Sequence, residues 1–192
     1  MIDLASRFIK SNNWVQYTSC TRHPIEFLTS LESFLNEHNS GSDWEKLSQR
    51  IVVVDACTPH FGYTDSIYEV RKDNAKEMCL EVIESVPSFA GIHTANARAF
   101  NHIKKFSKGT RGPTLIIYEG LHSLVDMESH EQYRIFFSHV LPSERLWGGM
   151  FTVVIEFSPT AENLEHIRTH GDYFYATCRG NLEYSARNSE GS

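Results

Sequence analysis

The stretch Arg50-Ile-Val-Val-Val-Asp-Ala-Cys57 decides the fold class, because it is a continuous apolar run rich in β-branched residues, with no polar alternation. Such a run predicts a strand buried on both faces, as in a parallel sheet that is covered by helices. Two later stretches have the same character, Thr114-Leu-Ile-Ile-Tyr-Glu-Gly120 and Phe151-Thr-Val-Val-Ile-Glu-Phe157. We therefore predict an α/β protein with a mostly parallel sheet.

Other strands have weaker signals in the sequence. The runs Trp14-Val-Gln-Tyr-Thr-Ser-Cys20 and Phe89-Ala-Gly-Ile-His93 are each interpreted as a strand. Near the end of the chain, residues 173–177 and 182–186 flank Arg179-Gly180-Asn181, which is typical of a hairpin turn. The sequence thus predicts a C-terminal β-hairpin.

Helical periods separate the strands, since apolar residues recur at spacings of three and four between them. Pro24 is suited to the first turn of one helix. The apolar residues of five predicted helices are, in chain order, Phe27, Leu28, Leu31, Phe34 and Leu35; Met78, Val82, Ile83 and Val86; Ala99, Phe100, Ile103 and Phe106; Tyr133, Phe136, Phe137 and Val140; Leu164 and Ile167. Alternating strands and helices predict one domain over residues 1–186, with helices on both faces of the sheet and a disordered polar tail at 187–192.

Composition narrows the class of protein. The chain has 192 residues, of which 18 are basic and 24 acidic, for a net charge of −6. This balance of charges argues against nucleic-acid binding, because no basic excess is available to bind phosphates. No apolar run is long enough to span a bilayer, so we expect a cytoplasmic protein without a membrane anchor. Four widely spaced cysteines predict reduced thiols, with neither disulfides nor structural zinc.

Two carboxylates end predicted strands. Asp55 and Glu119 each follow a buried run, and ligands of open parallel sheets lie beyond the carboxyl ends of the strands. A carboxylate there can hold Mg²⁺ or orient a water molecule. Alternatively, each carboxylate caps the following turn or pairs with a basic neighbour. The sequence leaves both interpretations open for each residue.

The order of elements resembles the KaiC branch of RecA-like ATPases. Residues 14–62, with a strand, a Pro-led helix, a Trp-Glu-Lys-Leu segment and the 50–56 strand, resemble the stretch that follows the P-loop helix of that family. Residues 114–124 resemble its Walker B strand, with Glu119 at the acidic position, and 151–158 resemble the next strand. The ending, Leu164-Glu-His-Ile-Arg-Thr-His-Gly-Asp172 followed by a hairpin, is similar to the family's terminal β-ribbon. The resemblance implies a RecA-like fold.

Departures from the family argue against autonomous ATP hydrolysis. A P-loop requires Gly-Lys before Ser or Thr, and this chain contains no Gly-Lys pair. Cys20 and Thr21 stand where the resemblance places the acidic pair that activates water. We therefore expect no cofactor. In the alternative, the chain is the C-terminal part of a KaiC-like signalling ATPase, with ATP and Mg²⁺ bound through a Walker A segment that lies upstream or on a partner, and with Glu119 at the Mg²⁺.

Loss of the P-loop also removes a strand that lies inside the sheet of the resembled fold. A vacancy there would leave buried backbone groups unpaired, each at a cost of about 1–3 kcal/mol. Three solutions are open. The sheet is re-ordered, or the first 13 residues replace the strand, or another chain or the rest of a longer protein supplies it.

Other side chains could carry enzyme chemistry but have commoner structural interpretations. His166 and His170 have a metal-binding spacing, although no further ligand lies nearby in sequence. Either His93 or His122 could form an acid–base pair with Glu119, as in a small hydrolase or transferase. Ser123 lacks the spacing of a nucleophile elbow, and Cys57 could be a thiol nucleophile beside His60 or a buried core residue.

The predicted function is binding. Arg145 and Trp147 lie in an unusual Gly-containing connector, and such residue types are enriched at protein interfaces. Together with Arg179 they are candidates for subunit contacts, with Glu119 and Asp55 as a remnant of a nucleotide site. RecA-like ATPases assemble into rings, so the resemblance implies a non-catalytic regulatory or scaffolding domain that assembles with a protein partner or with its own copies.

Overall fold

The computed structural model describes residues 1–38, 43–61, 66–107, 112–124, 128–140, 151–155, 173–178 and 181–186. Its elements in chain order are α1 (Ile2–Lys10), β1 (Trp14–Ser19), α2 (Pro24–His38), α3 (Trp44–Ser48), β2 (Ile51–Asp55), α4 (Cys57–Phe61), α5 (Ser66–Glu77), β3 (Glu81–Glu84), α6 (Phe89–Phe106), β4 (Thr114–Glu119), a 3₁₀ turn (Leu121–Leu124), α7 (His130–Ile135) with a π-helical continuation (Phe136–Val140), β5 (Phe151–Ile155), β6 (Tyr173–Cys178) and β7 (Asn181–Ala186).

The main sheet has five strands in the order β3-β2-β1-β4-β5, and every pair is parallel. The predicted α/β class and parallel sheet are thus confirmed. β1 is central, with Ser19 in register with Asp55 on one side and with Glu119 on the other. β6 and β7 form a separate antiparallel pair.

Helices cover both faces of the sheet, which explains why the strands are continuous apolar runs. On one face, α1, α2 and α5 pack against odd-numbered strand residues such as Tyr17, Val53 and Ile117. On the other, α6 and the segment around α7 pack against even-numbered residues such as Val54 and Tyr118. Among the described helices, none has both the length and the apolar character needed to cross a membrane.

The α6 face of the sheet contains a buried polar network. Gln16 Nε2 donates to Asn96 Oδ1 at 2.7 Å, and Asn96 Nδ2 donates to the hydroxyl oxygen of Tyr118. Thr18 Oγ1 also donates to Asn96 Oδ1, at 3.3 Å. All four residues are buried, and hydrogen bonds between buried side chains favour one packing arrangement over others. The network therefore fixes how α6 lies on β1 and β4.

Two of the secondary-structure predictions made from the sequence are wrong. Val82 and Ile83 belong to β3 rather than to a helix across 78–86, because their short apolar run pairs with β2 as the edge strand. Residues 89–93 form the first turn of α6 rather than a strand. The reason is a cap that the apolar pattern does not reveal, since Ser88 Oγ accepts a hydrogen bond from the Gly91 backbone N–H at 2.9 Å.

The sheet has no vacancy between its five strands. β1 pairs directly with β4 along six residues and with β2 along five. Residues before β1 do not add a strand, since 2–10 form α1, which buries Ala5 and Ile9 against α2 and β1. The prediction that the first 13 residues supply a strand is therefore wrong, because their apolar side chains form one face of a helix.

Candidate functional site

The order in which successive strands are added to the sheet reverses at the boundary between β1 and β4. From β1 the chain proceeds outward through β2 to β3, and it then returns to the other side of β1 for β4 and β5. Ligands of open parallel sheets lie outside the carboxyl ends of the strands at such a switch point. In this chain, the residues there are Ser19, Glu119 and the loops that follow them. We define this region as the switch-point site.

Glu119 is the charged centre of the switch-point site, and its side chain is only 1% exposed. Tyr17 donates its hydroxyl hydrogen to Oε2, and Arg22 Nε lies 3.0 Å from Oε1. Burial, and then the charge of Glu119, raise the pKa of Tyr17. The Tyr17 hydroxyl therefore stays protonated and remains a donor. Both carboxylate oxygens of Glu119 thus have a stabilising neighbour.

The loop after β1 holds Arg22 over Glu119. Ser19 Oγ donates to the Arg22 carbonyl at 2.5 Å and accepts from the Arg22 N–H at 3.3 Å. The Cys20 N–H donates to the Glu119 carbonyl at 2.9 Å, which continues the β1–β4 pairing by one residue. The Arg22 side chain is 47% exposed, so water reaches one side of the ion pair. Backbone contacts on both strands therefore position the guanidinium.

Thr21 packs directly on Gly120, which has a φ of 74°. A Cβ added to Gly120 would meet Thr21 Cγ2, with Oγ1 at 2.5 Å and Cβ at 3.0 Å. Glycine is suited to this position because it adopts positive φ freely and lets the two loops approach. The Thr21 side chain thus occupies the space directly beside Gly120, between the ends of β1 and β4.

Asp55 caps the helix that follows it. Its Oδ1 accepts hydrogen bonds from the backbone N–H groups of Cys57 at 3.0 Å and Thr58 at 2.9 Å. The residue is 1% exposed. The sequence left open whether Asp55 binds a ligand, pairs with a basic residue or caps the following turn, and the observed hydrogen bonds are those of a cap.

The structure does not bring His93 to Glu119. Glu119 follows the odd-numbered face of β4, which α1 and α2 cover, whereas His93 belongs to α6 on the opposite face. Ser123 Oγ donates to the Gly120 carbonyl at 2.8 Å, a local turn contact. His122 lies in the same 3₁₀ turn. An acid–base pair between His93 and Glu119 is therefore excluded by the sheet itself.

Cys57 is a poor nucleophile in this setting. It is 4% exposed, and burial, followed by the charge of Asp55, raises its pKa to about 12. At about pH 8 we expect iodoacetamide to alkylate Cys57 roughly a thousandfold more slowly in the folded chain than in urea, because so little thiolate forms. Peptide mapping by mass spectrometry measures this ratio. Fast labelling of Cys57 in the folded chain would show a reactive thiol.

Several candidate residues lie outside the described residues. These are Arg145, Trp147, Arg179, His166 and His170. Conversely, sequence reasoning missed Tyr17 and His23 as members of the switch-point site. The available signal was their position, since Tyr17 lies near the carboxyl end of the predicted 14–20 strand and His23 lies just beyond it.

A magnesium–nucleotide site does not fit these residues. A cation at Glu119 would lie beside the Arg22 guanidinium, 3.0 Å from the same carboxylate, and would be repelled by it. Asp55 already accepts two backbone hydrogen bonds through Oδ1. Within the described part of the chain, no group of three or more His, Cys, Asp or Glu side chains is arranged to hold a metal ion.

Comparisons with known proteins give a likeness in fold. No family model and no curated protein matches the chain. Among solved structures, it is similar to the uncharacterized protein PH0321 from Pyrococcus horikoshii, which was crystallised in complex with an unknown peptide. The TM-score is 0.56 and the identity 15%, over 95% of this chain and 74% of that chain. At this identity, the likeness is one of fold alone.

Proposed function

We propose that the chain is a non-catalytic regulatory or scaffolding domain that acts through protein assembly. The observation that carries the proposal is the state of Glu119, which is buried and held by Tyr17 and Arg22. A carboxylate whose two oxygens already face a hydroxyl donor and a guanidinium is a poor ligand for Mg²⁺ or for a reacting water molecule. The ion pair between the buried Glu119 and the half-exposed Arg22 fixes the loop after β1, and a fixed surface loop is suited to binding a protein partner.

The RecA/KaiC-like relationship is part of the proposal. In its support, the predicted Walker B-like strand lies at the switch point of a parallel sheet and ends in Glu119. The described β6–β7 pair is compatible with the terminal β-ribbon implied by the resemblance.

We further propose a cytoplasmic location. The Pyrococcus horikoshii protein was crystallised with an unknown peptide, and by analogy we propose that this chain binds a protein partner.

Nucleotide binding and mass test the proposal together. Calorimetry with ATP and Mg²⁺ is expected to detect no binding tighter than about 100 µM, which corresponds to about −5.5 kcal/mol. Light scattering is expected to give a multiple of 22.0 kDa. Binding tighter than that limit, lost in Glu119→Gln, would instead support the signalling ATPase. A 22.0 kDa monomer would leave only a different protein as the partner.

Variants test the candidate contact residues. Arg145→Ala with Trp147→Ala, and Arg179→Ala separately, are expected to lower the mass in solution if these side chains join copies of the chain, since Trp and Arg carry much of the binding energy of interfaces. Arg134→Ala is the matched control, because Arg134 is exposed and pairs with Glu131 within its own helix. An equal effect of all variants would contradict the assignment of these contacts.

A further inference from the structure

A buried histidine stands at the start of α2. His23 is 5% exposed and directly precedes Pro24, the first residue of the helix. Its Nδ1 accepts a hydrogen bond from the Ile25 backbone N–H at 3.2 Å, the role that Ser or Asp oxygens play at other helix starts. We propose that His23 is a proton-sensitive cap of α2, which releases the loop between β1 and α2 when its imidazole is protonated.

The cap requires a neutral imidazole. An Nδ1 that accepts a hydrogen bond has a lone pair, and in the imidazolium ion both ring nitrogens are donors. Protonation of Nδ1 therefore breaks the hydrogen bond from Ile25, because the Nδ1–H of His23 and the backbone N–H of Ile25 would then face each other. It also places a positive charge at the positive end of the dipole of a 15-residue helix. Both effects oppose protonation as long as the loop is closed.

The surrounding charges do not reverse this preference. Asp55 at the end of β2 and Glu26 on α2 favour the imidazolium, while Arg71 on α5 opposes it. Burial has the largest effect, and the pKa of His23 is lowered from its ordinary value. Asp55 Oδ1 also accepts two backbone hydrogen bonds from the start of α4, and these N–H groups offset part of the attraction of Asp55 for an imidazolium at His23.

Release of the cap would act on the switch-point site. The same loop carries Arg22, which is held by Ser19 and lies over Glu119. When the loop opens, His23 reaches water and regains an ordinary pKa of about 6.5. The open state therefore binds more protons than the closed state below that pH. The closed loop is therefore most stable relative to the open loop above about pH 6.5, and its stability decreases as the pH falls below that value.

Amide hydrogen exchange tests the switch directly. Between about pH 7.5 and pH 5.0, after correction for the intrinsic exchange rate, protection of the Ile25 amide should fall by up to about thirtyfold, the factor by which an imidazole with a pKa of about 6.5 favours the open state. Local opening also requires that Ile25 is less protected than Val53, which is 0% exposed in β2, at both pH values.

Capping variants separate the switch from a general effect of acid. His23→Asn and His23→Ser provide caps that do not titrate, so either should remove most of the pH dependence, and the second serves if the first fails to fold. His139→Asn, at an exposed position, should retain it. The proposal is overturned if Ile25 and Val53 are equally protected, or if the capping variants lose protection at acid pH as the natural chain does.

Discussion

Replacement of Arg22 by methionine will lower the free energy of unfolding by about 2–3 kcal/mol. The change keeps the long side chain but leaves the 1% exposed carboxylate of Glu119 with only the Tyr17 hydroxyl as a stabilising neighbour. Removal of one partner from a fully buried ion pair costs about 3–5 kcal/mol, and we expect less here because Arg22 is 47% exposed. Urea unfolding monitored by circular dichroism measures the change.

Matched variants show whether burial of Glu119 is the cause. Arg7→Met removes an ion pair of 2.7 Å with Asp3 whose side chains are 74% and 55% exposed, so it should change the stability by no more than about 0.5 kcal/mol. Glu119→Gln should cost less than Arg22→Met, because the half-exposed guanidinium can be hydrated while the buried carboxylate cannot. The double variant should be no worse than Arg22→Met. An equal effect of Arg22→Met and Arg7→Met would contradict a structural role for Glu119.

The central strands were predictable because their signal is local. A continuous β-branched run such as 51–54 has one plausible environment, a sheet covered on both sides. β3 has only four residues, and its two apolar side chains fit a helical period as well as a strand. The start of α6 was also missed, since one hydrogen bond from Gly91 to Ser88 decides it. The secondary structure of such short segments thus depends on strand pairing and helix capping, which the local apolar pattern does not reveal.

The position of the switch-point site could be predicted from the sequence, but the partners of its carboxylate Glu119 could not. The carboxyl ends of parallel strands meet at one edge, so Asp55 and Glu119 could be placed there from the sequence. Whether Glu119 binds a cation or an arginine depends on Tyr17, 102 positions away in the chain, and on the register of β1 with β4. No local pattern encodes that register. The sequence therefore left two chemistries open, and the contacts of Glu119 favour the structural one.

Substitution of Gly120 by alanine will destabilise the chain by about 3 kcal/mol. The positive φ of 74° costs an L-residue roughly 1–2 kcal/mol, and overpacking adds about 1–3 kcal/mol. The overpacking is specific, since the new methyl group would meet Thr21 Cγ2 and Oγ1. Urea unfolding again measures the loss, with the double variant Thr21→Gly and Gly120→Ala as the matched control.

A cycle of these variants separates the two causes. Thr21→Gly removes the three atoms nearest to the new methyl group but leaves the backbone conformation of Gly120, so Gly120→Ala should cost only about 1–2 kcal/mol in that background. A coupling of about 1 kcal/mol or more would establish that Thr21 fills the space beside Gly120. That space is where an open parallel sheet would otherwise receive a ligand. Additive effects would instead mean that Thr21 moves aside at little cost, and that the space beside Gly120 can open to a ligand.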